Sequence, residues 1–455
     1  MSTPSIRRLP ALLLLLVAAA CSGSGGAGAG TTAVGPAGPV GPSTTAARPV
    51  VELPANGSIV VADAGALVFY GPDGELRGSA PITLRDEPLI ELGNDRALGV
   101  TESGAVVLLD GAGGTVSVLD GITVPDGEQL NRDVLGGGDR FTIAQVANDP
   151  YLVDLDASTA TLLTAITTTG RRVQGWRFSA DERFVASSGT YLALVPTADP
   201  AAVAPLAELA GCVSIDAGGR LLVSETGGEI GSVSLATVDD PTAKQGLFAG
   251  STKCALWWGK RIVAYGTGAL VELQTDGTTS ELLDLEPGQV VTLPVAGHPE
   301  LVSVSGGVNP NQWFWLLPDN SLLAIPEAEG GRYVDVVGAT AAFSVDSATG
   351  FDLVVAAQQN GATTITAFTD EQLGTRVLDV EGTAFLGAAD SASVVGVTGG
   401  TTPTIIEGGA DFVLAPDRSG SFAVALPEGV AITDRSASPS PIVLGPGTPL
   451  AWLAA

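Results

Sequence analysis

A unit made of an apolar run, a polar turn and a second apolar run recurs along the chain, and it limits the fold more than any other feature. One unit begins at Val173, the next at Cys212, a third at Cys254 and a later one at Phe412. Each turn contains Asp or Gly, residues that favour tight turns between strands. Cys212 and Cys254 are 42 residues apart. A period of this length is typical of a propeller blade with four strands.

Short segments of strand-like composition fill the rest of the chain after residue 54. They include Ser58–Ala62, Ala66–Tyr70, Ala105–Asp110 and Thr115–Asp120. Many short strands at even spacing, separated by Gly and Asp turns, indicate a sandwich, a barrel or a propeller. Residues 55–455 are too many for a single sandwich or barrel, so we predict an all-β fold, a β-propeller of four-stranded blades.

The number of blades and the closure of the ring can also be predicted. Division of the domain by its repeat period gives nine or ten units, but the segments 195–203 and 319–333 resemble long connections. We therefore favour eight blades, with seven as the alternative. Ser58–Ala62 resembles a second blade strand, and Pro449–Leu453 resembles an inner strand with no blade after it. Placing the C-terminal strand in the first blade would leave no open sheet edge.

The best-defined repeat has Trp176 near the end of its first strand, followed by the turn Ser179-Ala180-Asp181-Glu182. This pattern resembles the WD40-like repeats of bacterial extracytoplasmic propellers of the TolB type. In that family the inner strand ends in a Trp-x-Ser-Pro-Asp-Gly-like turn, from which this chain departs at the Pro and the Gly. The resemblance implies a propeller domain over residues 55–455.

The N-terminal segment resembles the signal peptide of a bacterial lipoprotein. Arg7 and Arg8 precede an apolar run, Leu9–Ala20, which is too short to span a bilayer and ends at Cys21. The resemblance implies cleavage of a signal peptide, residues 1–20, and acylation of Cys21. The alternative is an ordinary A-x-A cleavage site with plain secretion.

A linker, residues 21–54, is expected between this anchor and the folded domain, since it is rich in Gly, Ala, Ser, Thr and Pro. The predicted location is extracytoplasmic, on a bacterial cell membrane through the lipid on Cys21. The chain has 49 acidic and 21 basic residues and a net charge of −28. Nucleic-acid binding is not expected, because it requires a basic surface. A protein or a cell-wall glycan is the expected partner.

Cys212 and Cys254 occupy the same place in adjacent repeats. Equivalent points of neighbouring inner strands approach each other near a propeller axis, and thiols oxidise outside the cytoplasm. We therefore predict a disulfide between Cys212 and Cys254. The alternative is a pair of buried free thiols.

The sequence contains no motif that identifies a catalytic, cofactor or metal site. His298 is the single histidine, so a site with several histidines is excluded, and nucleophile-elbow, P-loop and zinc-protease motifs do not occur. Trp313 and Trp315 lie on one face of a predicted strand. Such aromatic side chains can stack on sugar rings, which makes them candidate ligand contacts, or they can pack between blades.

These observations predict a lipid-anchored extracytoplasmic propeller that serves as a binding scaffold for a protein or glycan and has no catalysis of its own. Two alternatives remain. One is a carboxylate-based glycosidase or lyase with its site in the propeller funnel, which clustered carboxylates with shifted pKa values would favour. The other is a solute-binding or sensor accessory of a transporter.

Overall fold

The computed structural model describes most of residues 57–454. The expected signal peptide, linker and Cys21 lie outside the described residues, which belong to the compact unit Val51–Ala455. Within 57–454 the positions left out are 133, 136, 170–172, 228–229, 251–253, 259–260, 267–268, 286–288, 293–300, 307–310, 318, 320, 348–349, 359–360, 369–375, 379–383, 389–392, 398–403, 408–410, 419 and 435–441.

Nearly all regular structure in the described residues is β-strand. The strands of the first half are β1 (Ser58–Asp63), β2 (Ala66–Tyr70), β3 (Leu76–Ala80), β4 (Ile90–Gly93), β5 (Arg96–Val100), β6 (Ala105–Asp110), β7 (Thr115–Thr123), β8 (Leu130–Asn131), β9 (Val134–Leu135), β10 (Phe141–Val146), β11 (Asp149–Asp154), β12 (Thr159–Leu162), β13 (Val173–Phe178), β14 (Phe184–Gly189), β15 (Leu192–Pro196), β16 (Ala204–Ala207), β17 (Gly211–Ile215), β18 (Arg220–Gly227), β19 (Ile230–Thr237) and β20 (Gln245–Gly250).

The second half continues in the same way. Its strands are β21 (Cys254–Trp258), β22 (Arg261–Tyr265), β23 (Ala269–Leu273), β24 (Thr279–Asp284), β25 (Gln289–Thr292), β26 (Leu301–Gly306), β27 (Gln312–Leu316), β28 (Leu322–Ala324), β29 (Arg332–Val337), β30 (Thr340–Ser347), β31 (Gly350–Ala357), β32 (Gly361–Phe368), β33 (Arg376–Leu378), β34 (Ala384–Ala388), β35 (Ser393–Val397), β36 (Thr404–Glu407), β37 (Phe412–Leu414), β38 (Ser421–Leu426), β39 (Gly429–Asp434), β40 (Ile442–Val443) and β41 (Thr448–Leu453). One short helix, α1 (Thr164–Thr167), and one 3-10 turn, Pro326–Ala328, accompany them.

The strands form antiparallel four-stranded meanders, which confirms the predicted propeller of four-stranded blades. Blade 1 consists of β41, β1, β2 and β3, blade 2 of β4 to β7, and blade 3 of β8, β10, β11 and β12. Blades 4 to 10 then take four consecutive strands each, from β13–β16 to β37–β40. In each blade the strand named first here is its inner strand.

The described strands give ten such meanders, where the sequence led us to favour eight blades. They are arranged in eight separate sheets, because single bridges join blades 2 and 3 and blades 4 and 5 into two wider sheets. The number of blades is higher because the repeat period leaves room for ten units when the connections between blades are short. Segment 319–333, which we took for a long connection, holds β28 and the 3-10 turn, so it belongs to a blade and uses up little chain between blades.

The C-terminal strand completes the first blade, as predicted. β41 pairs antiparallel with β1, with Trp452 opposite Ile59 and Ala451 opposite Val60. Trp452 is 1% exposed and packs in a core shared with blade 10. The ring is therefore closed by pairing between the two ends of the domain.

The hydrophobic cores lie between consecutive blades. One core joins Leu98 and Val106 of blade 2 to Ala144 and Val153 of blade 3, and equivalent clusters join several other neighbouring pairs. Sheets stacked in this way bury both faces of their middle strands, which explains the long runs of Val, Leu, Ile and Ala. No helix in the described part of the chain is long and apolar enough to cross a membrane.

Buried carboxylates also hold neighbouring blades together. Glu182, in the β13–β14 turn of blade 4, is 8% exposed. Its carboxylate accepts backbone N–H groups of Asp139, Arg140 and Phe141 in blade 3, at 3.0, 2.9 and 2.8 Å. Asp95 acts similarly in the β4–β5 turn of blade 2, where it accepts the Ser58 hydroxyl of blade 1 at 2.7 Å. Each turn therefore clamps the blade before it.

Candidate functional site

The two cysteines form the predicted disulfide. Cys212 is the second residue of β17 and Cys254 the first of β21, and their Cα atoms are 5.5 Å apart. The bond joins the inner strands of blades 5 and 6. Serine hydroxyls add links nearby, since Ser214 accepts the Trp257 N–H and Ser224 accepts the Ala255 N–H. This arc of inner strands is therefore fixed by one covalent bond and by hydrogen bonds between blades.

Trp313 and Trp315 lie in the core between blades 7 and 8. Their exposed fractions are 5% and 1%, Trp313 packs against Phe343 with ring centroids 4.9 Å apart, and its indole N–H donates to the Gly331 carbonyl at 3.0 Å. Side chains this deeply buried are not available to a ligand. Packing between blades, the alternative considered from the sequence, accounts for both residues, and the suggested ligand contact is corrected accordingly.

A group of polar side chains faces the inner side of the ring instead. Arg418 lies in the β37–β38 turn of blade 10, and its guanidinium donates to the Asp335 carboxylate of blade 8 at 2.5 Å. The same guanidinium is close enough to Glu91 of blade 2 to influence its pKa. Blades 8 and 2 stand two places away from blade 10 in opposite directions, so this turn reaches the funnel that the inner strands enclose. We call Glu91, Tyr333, Asp335 and Arg418 the funnel cluster.

Strand alternation separates Glu91 from the core between blades 2 and 3. Its neighbours Ile90 and Leu92 point to the other side of β4 and pack in the core between blades 2 and 3. The Glu91 side chain is exposed to solvent, yet partial desolvation by the neighbouring protein raises the pKa of its carboxyl. The charge of Arg418 opposes that shift. No hydrogen bond from any described residue reaches the Glu91 carboxyl.

Tyr333 provides a second proton-bearing group in the cluster. It lies on β29, two residues before Asp335. Burial, together with the neighbouring Asp335 carboxylate, raises the pKa of Tyr333 to about 12, against the opposing charge of Arg418. The phenol is therefore protonated at neutral pH. The cluster thus combines a carboxyl that retains its proton more readily than usual, a neutral phenol and an Arg–Asp ion pair.

A cavity of about 260 Å³ lies between the first parts of inner strands β4 and β8, on the Ile90 side of β4. Ile90, Leu89 and Pro88 give it an apolar wall. Its lining also includes the polar and charged side chains of Glu87, Gln129, Asn131 and Arg132. A cavity that mixes apolar surface with a few amide and charged groups is typical of a small-molecule or sugar site.

Sequence reasoning did not nominate any residue of the funnel cluster. The available signal was weak: Glu91 interrupts the apolar run Leu89-Ile90-Glu91-Leu92, and a charge inside an inner strand is unusual. His298 lies outside the described residues. Among the described residues, no group of three or more His, Cys, Asp or Glu side chains could hold a metal ion.

Comparison with known proteins gives structural similarity only. No family model matches the chain, and no curated protein matches it. Dihydro-heme d1 dehydrogenase NirN in complex with DHE has 16% identity and a TM-score of 0.41, over 70% of this chain and 75% of that one. Oligogalacturonate lyase in complex with manganese has 13% identity and a TM-score of 0.39, over 76% and 99%. BamB from Moraxella catarrhalis has 15% identity and a TM-score of 0.31, over 55% and 79%. These similarities concern the fold.

The expectation of a protein without catalysis is corrected. Two of these similar structures carry the names of enzymes. The funnel cluster also contains part of what we named as the sign of an enzyme, two carboxyl groups that share Arg418 as a neighbour, one of them with a raised pKa.

Proposed function

We propose that this protein is an extracytoplasmic enzyme, anchored through a lipid on Cys21, that acts on a cell-envelope glycan in its funnel by carboxylate-based acid–base catalysis. One observation carries the proposal: Glu91 has a raised pKa, no hydrogen bond from a described residue, and an ion pair between Asp335 and Arg418 close by. A proton-bearing acid and a carboxylate that share one arginine neighbour are the two groups that a glycosidase requires.

Each residue of the funnel cluster has a separate role in this scheme. Glu91 donates its proton to the glycosidic oxygen as the bond breaks. Asp335, held in place by Arg418, is the carboxylate that activates water or stabilises positive charge at the anomeric carbon. The protonated Tyr333 donates a hydrogen bond to a substrate hydroxyl. A lyase would use the same proton donor, with the base removing a proton from carbon.

The envelope location is supported by the sequence alone. The lipobox-like segment ends at Cys21, and the linker 21–54 is long enough to hold the domain away from a membrane surface. The net charge of −28 disfavours docking of the domain itself on anionic lipid. The lipid on Cys21 is therefore the proposed membrane contact, and Cys21→Ala should move the protein from the membrane fraction to the soluble fraction.

The test is an activity screen of the purified protein on polysaccharides extracted from bacterial envelopes. New reducing ends would report hydrolysis, and new ultraviolet absorbance from an unsaturated sugar would report elimination. We expect Glu91→Gln to lower the rate about 100-fold or more, because it removes the transferable proton.

Glu102→Gln is the matched control, because Glu102 is an exposed turn residue after the second strand of the same blade. Its rate should equal that of the wild type. Equal rates for Glu91→Gln and the wild type would contradict the assigned role. Glycan binding without any product would reject catalysis and leave a binding protein.

A further inference from the structure

Arg177 is a second charged group on an inner strand, which the proposed catalysis does not use. It lies on β13, the inner strand of blade 4, between Trp176 and Phe178. Those two aromatic side chains pack in the core between blades 3 and 4, so strand alternation turns Arg177 to the opposite face. Its guanidinium donates to the Ser214 hydroxyl on the inner strand of blade 5, at 3.3 Å.

The charge of Arg177 is not matched by an acid. The hydrogen bond to Ser214 is its one polar contact among the described residues, and no described carboxylate lies within ion-pair distance of it. Burial lowers the pKa of Arg177 and raises that of Tyr265, the group that faces it from blade 6. The phenol is therefore neutral at neutral pH and supplies no counter-charge.

Other arginines in blades 3 to 6 are paired differently. Arg140, Arg183, Arg220 and Arg261 each have a carboxylate oxygen within 3.1 Å. The chain has 49 acidic residues for 21 basic ones, so a partner for one more arginine would be easy to supply. The absence of an acid beside Arg177 is thus a feature of this site and not of the composition.

A partly buried guanidinium without a counter-charge destabilises the folded protein unless an anion joins it. It has five N–H donors in a flat fork that fits carboxylate or phosphate oxygens, and Ser214 uses one of them. Tyr265 adds a hydroxyl donor. The Cys212–Cys254 bond fixes the strands around the group, because Cys254 is the direct partner of Tyr265 in the β21–β22 pair.

We propose that Arg177 and Tyr265, positioned by Ser214 and the disulfide, form a binding subsite for an oxyanion group of a ligand. A carboxylate of an acidic sugar and a phosphate of a phosphorylated glycan share this chemistry. The subsite goes beyond the assignment of Glu91, since it depends on binding alone and holds whether or not the funnel catalyses a reaction.

The test is calorimetric titration of the full-length protein with glucuronate, inorganic phosphate and glucose at constant ionic strength. We expect binding of at least one of the two anions and none of neutral glucose. Preference for glucuronate would identify the carboxylate source, and preference for phosphate the phosphorylated one. Arg177→Gln should weaken anion binding at least tenfold, and Tyr265→Phe severalfold.

The matched control is Arg183→Gln, because Arg183 is exposed on the next turn and has its own partner in Asp181 at 2.5 Å. Anion affinity should be unchanged in that variant. Failure of the wild type to bind either anion at millimolar concentration, or equal affinity in Arg177→Gln, would overturn the proposal. Neither result depends on turnover, so this test separates the subsite from the proposed activity.

Ligand-free stability distinguishes a binding arginine from a structural one. Arg177→Met removes the charge and keeps the apolar stem, so the variant should melt at the same temperature as the wild type or above it. A lower Tm, or a variant that fails to fold, would show that the guanidinium supports the fold and would also overturn the proposal.

Discussion

The proton on Glu91 links function to stability at the residue scale. Burial raises its folded pKa above the unfolded value, so the folded state binds a proton that the unfolded state has already lost. Stability therefore falls as pH rises from the unfolded pKa of a glutamate, about 4.3, through the folded one. Below that window both states are protonated and the residue has no effect.

Glu91→Gln should consequently raise the Tm at pH 7, because the neutral amide avoids the cost of a confined charge. At pH 4 the difference from the wild type should be much smaller. Calorimetric melting of both proteins at the two pH values checks this, with Glu102→Gln as the exposed control. A lower Tm for Glu91→Gln at pH 7 would show that the carboxylate is stabilised by its surroundings.

A second residue-scale prediction concerns Glu182. Its carboxylate accepts three backbone N–H groups of blade 3, and Glu182→Ala would leave those groups without their acceptor. We expect a loss of about 2–4 kcal/mol in the free energy of unfolding. Its φ of +53° is strained for a residue with a side chain, so Glu182→Ala keeps that strain and isolates the loss of the carboxylate, whereas Glu182→Gly also relieves the strain and should lose less stability. Urea unfolding of both variants, with the exposed Glu128→Ala as control, measures the effect; a change under 0.5 kcal/mol would reject the clamp.

At the scale of elements, the disulfide connects two inner strands that otherwise belong to separate sheets. A cross-link that closes a loop of this length stabilises by about 4 kcal/mol in the chain-entropy model. Cys212→Ser with Cys254→Ser should therefore melt at a lower temperature than the oxidised wild type, and reduction of the wild type should lower its Tm in the same direction. Cys21 is replaced by Ala in both proteins so that a third thiol does not interfere. An unchanged Tm on full reduction would exclude a stabilising role.

The sequence predicted elements better than it predicted the site, and the physical reason differs between residues. Strands, turns and the Cys212–Cys254 pair follow from local patterns that repeat at one period. A pattern recognised in one blade therefore locates the same element in the other blades. The contact between Arg418 and Asp335 joins a turn of blade 10 to a strand of blade 8, and no periodicity specifies how far a turn reaches. Trp313 and Trp315 were proposed as ligand contacts for a different reason. An aromatic pair on one face of a strand gives the same sequence pattern whether that face is buried or exposed.

For the whole molecule, the number of blades was the least predictable property. Ten meanders fit the chain because inner strands begin at regular intervals, at residues 90, 130, 173, 211, 254, 289, 332, 376, 412 and 448. Division of the domain length by the repeat period gives nine or ten units, whereas our prediction of eight blades assumed long connections between them. The Arg418 side chain of blade 10 reaches across this ring to Asp335 of blade 8 and influences the pKa of Glu91 in blade 2.

Closure of the ring is the last prediction, and it tests the architecture as a whole. Deleting residues 448–455 removes β41, which exposes an edge of β1 and strips Trp452 from the core that it shares with blade 10. Loss of a large buried aromatic side chain typically costs about 3–5 kcal/mol, a large share of the 5–15 kcal/mol that stabilises a domain. The truncated protein should aggregate or melt far below the wild type. Deleting eight residues from the linker 21–54 is the control and should leave the Tm unchanged, and a C-terminal deletion with wild-type melting would mean that the ring does not depend on this strand.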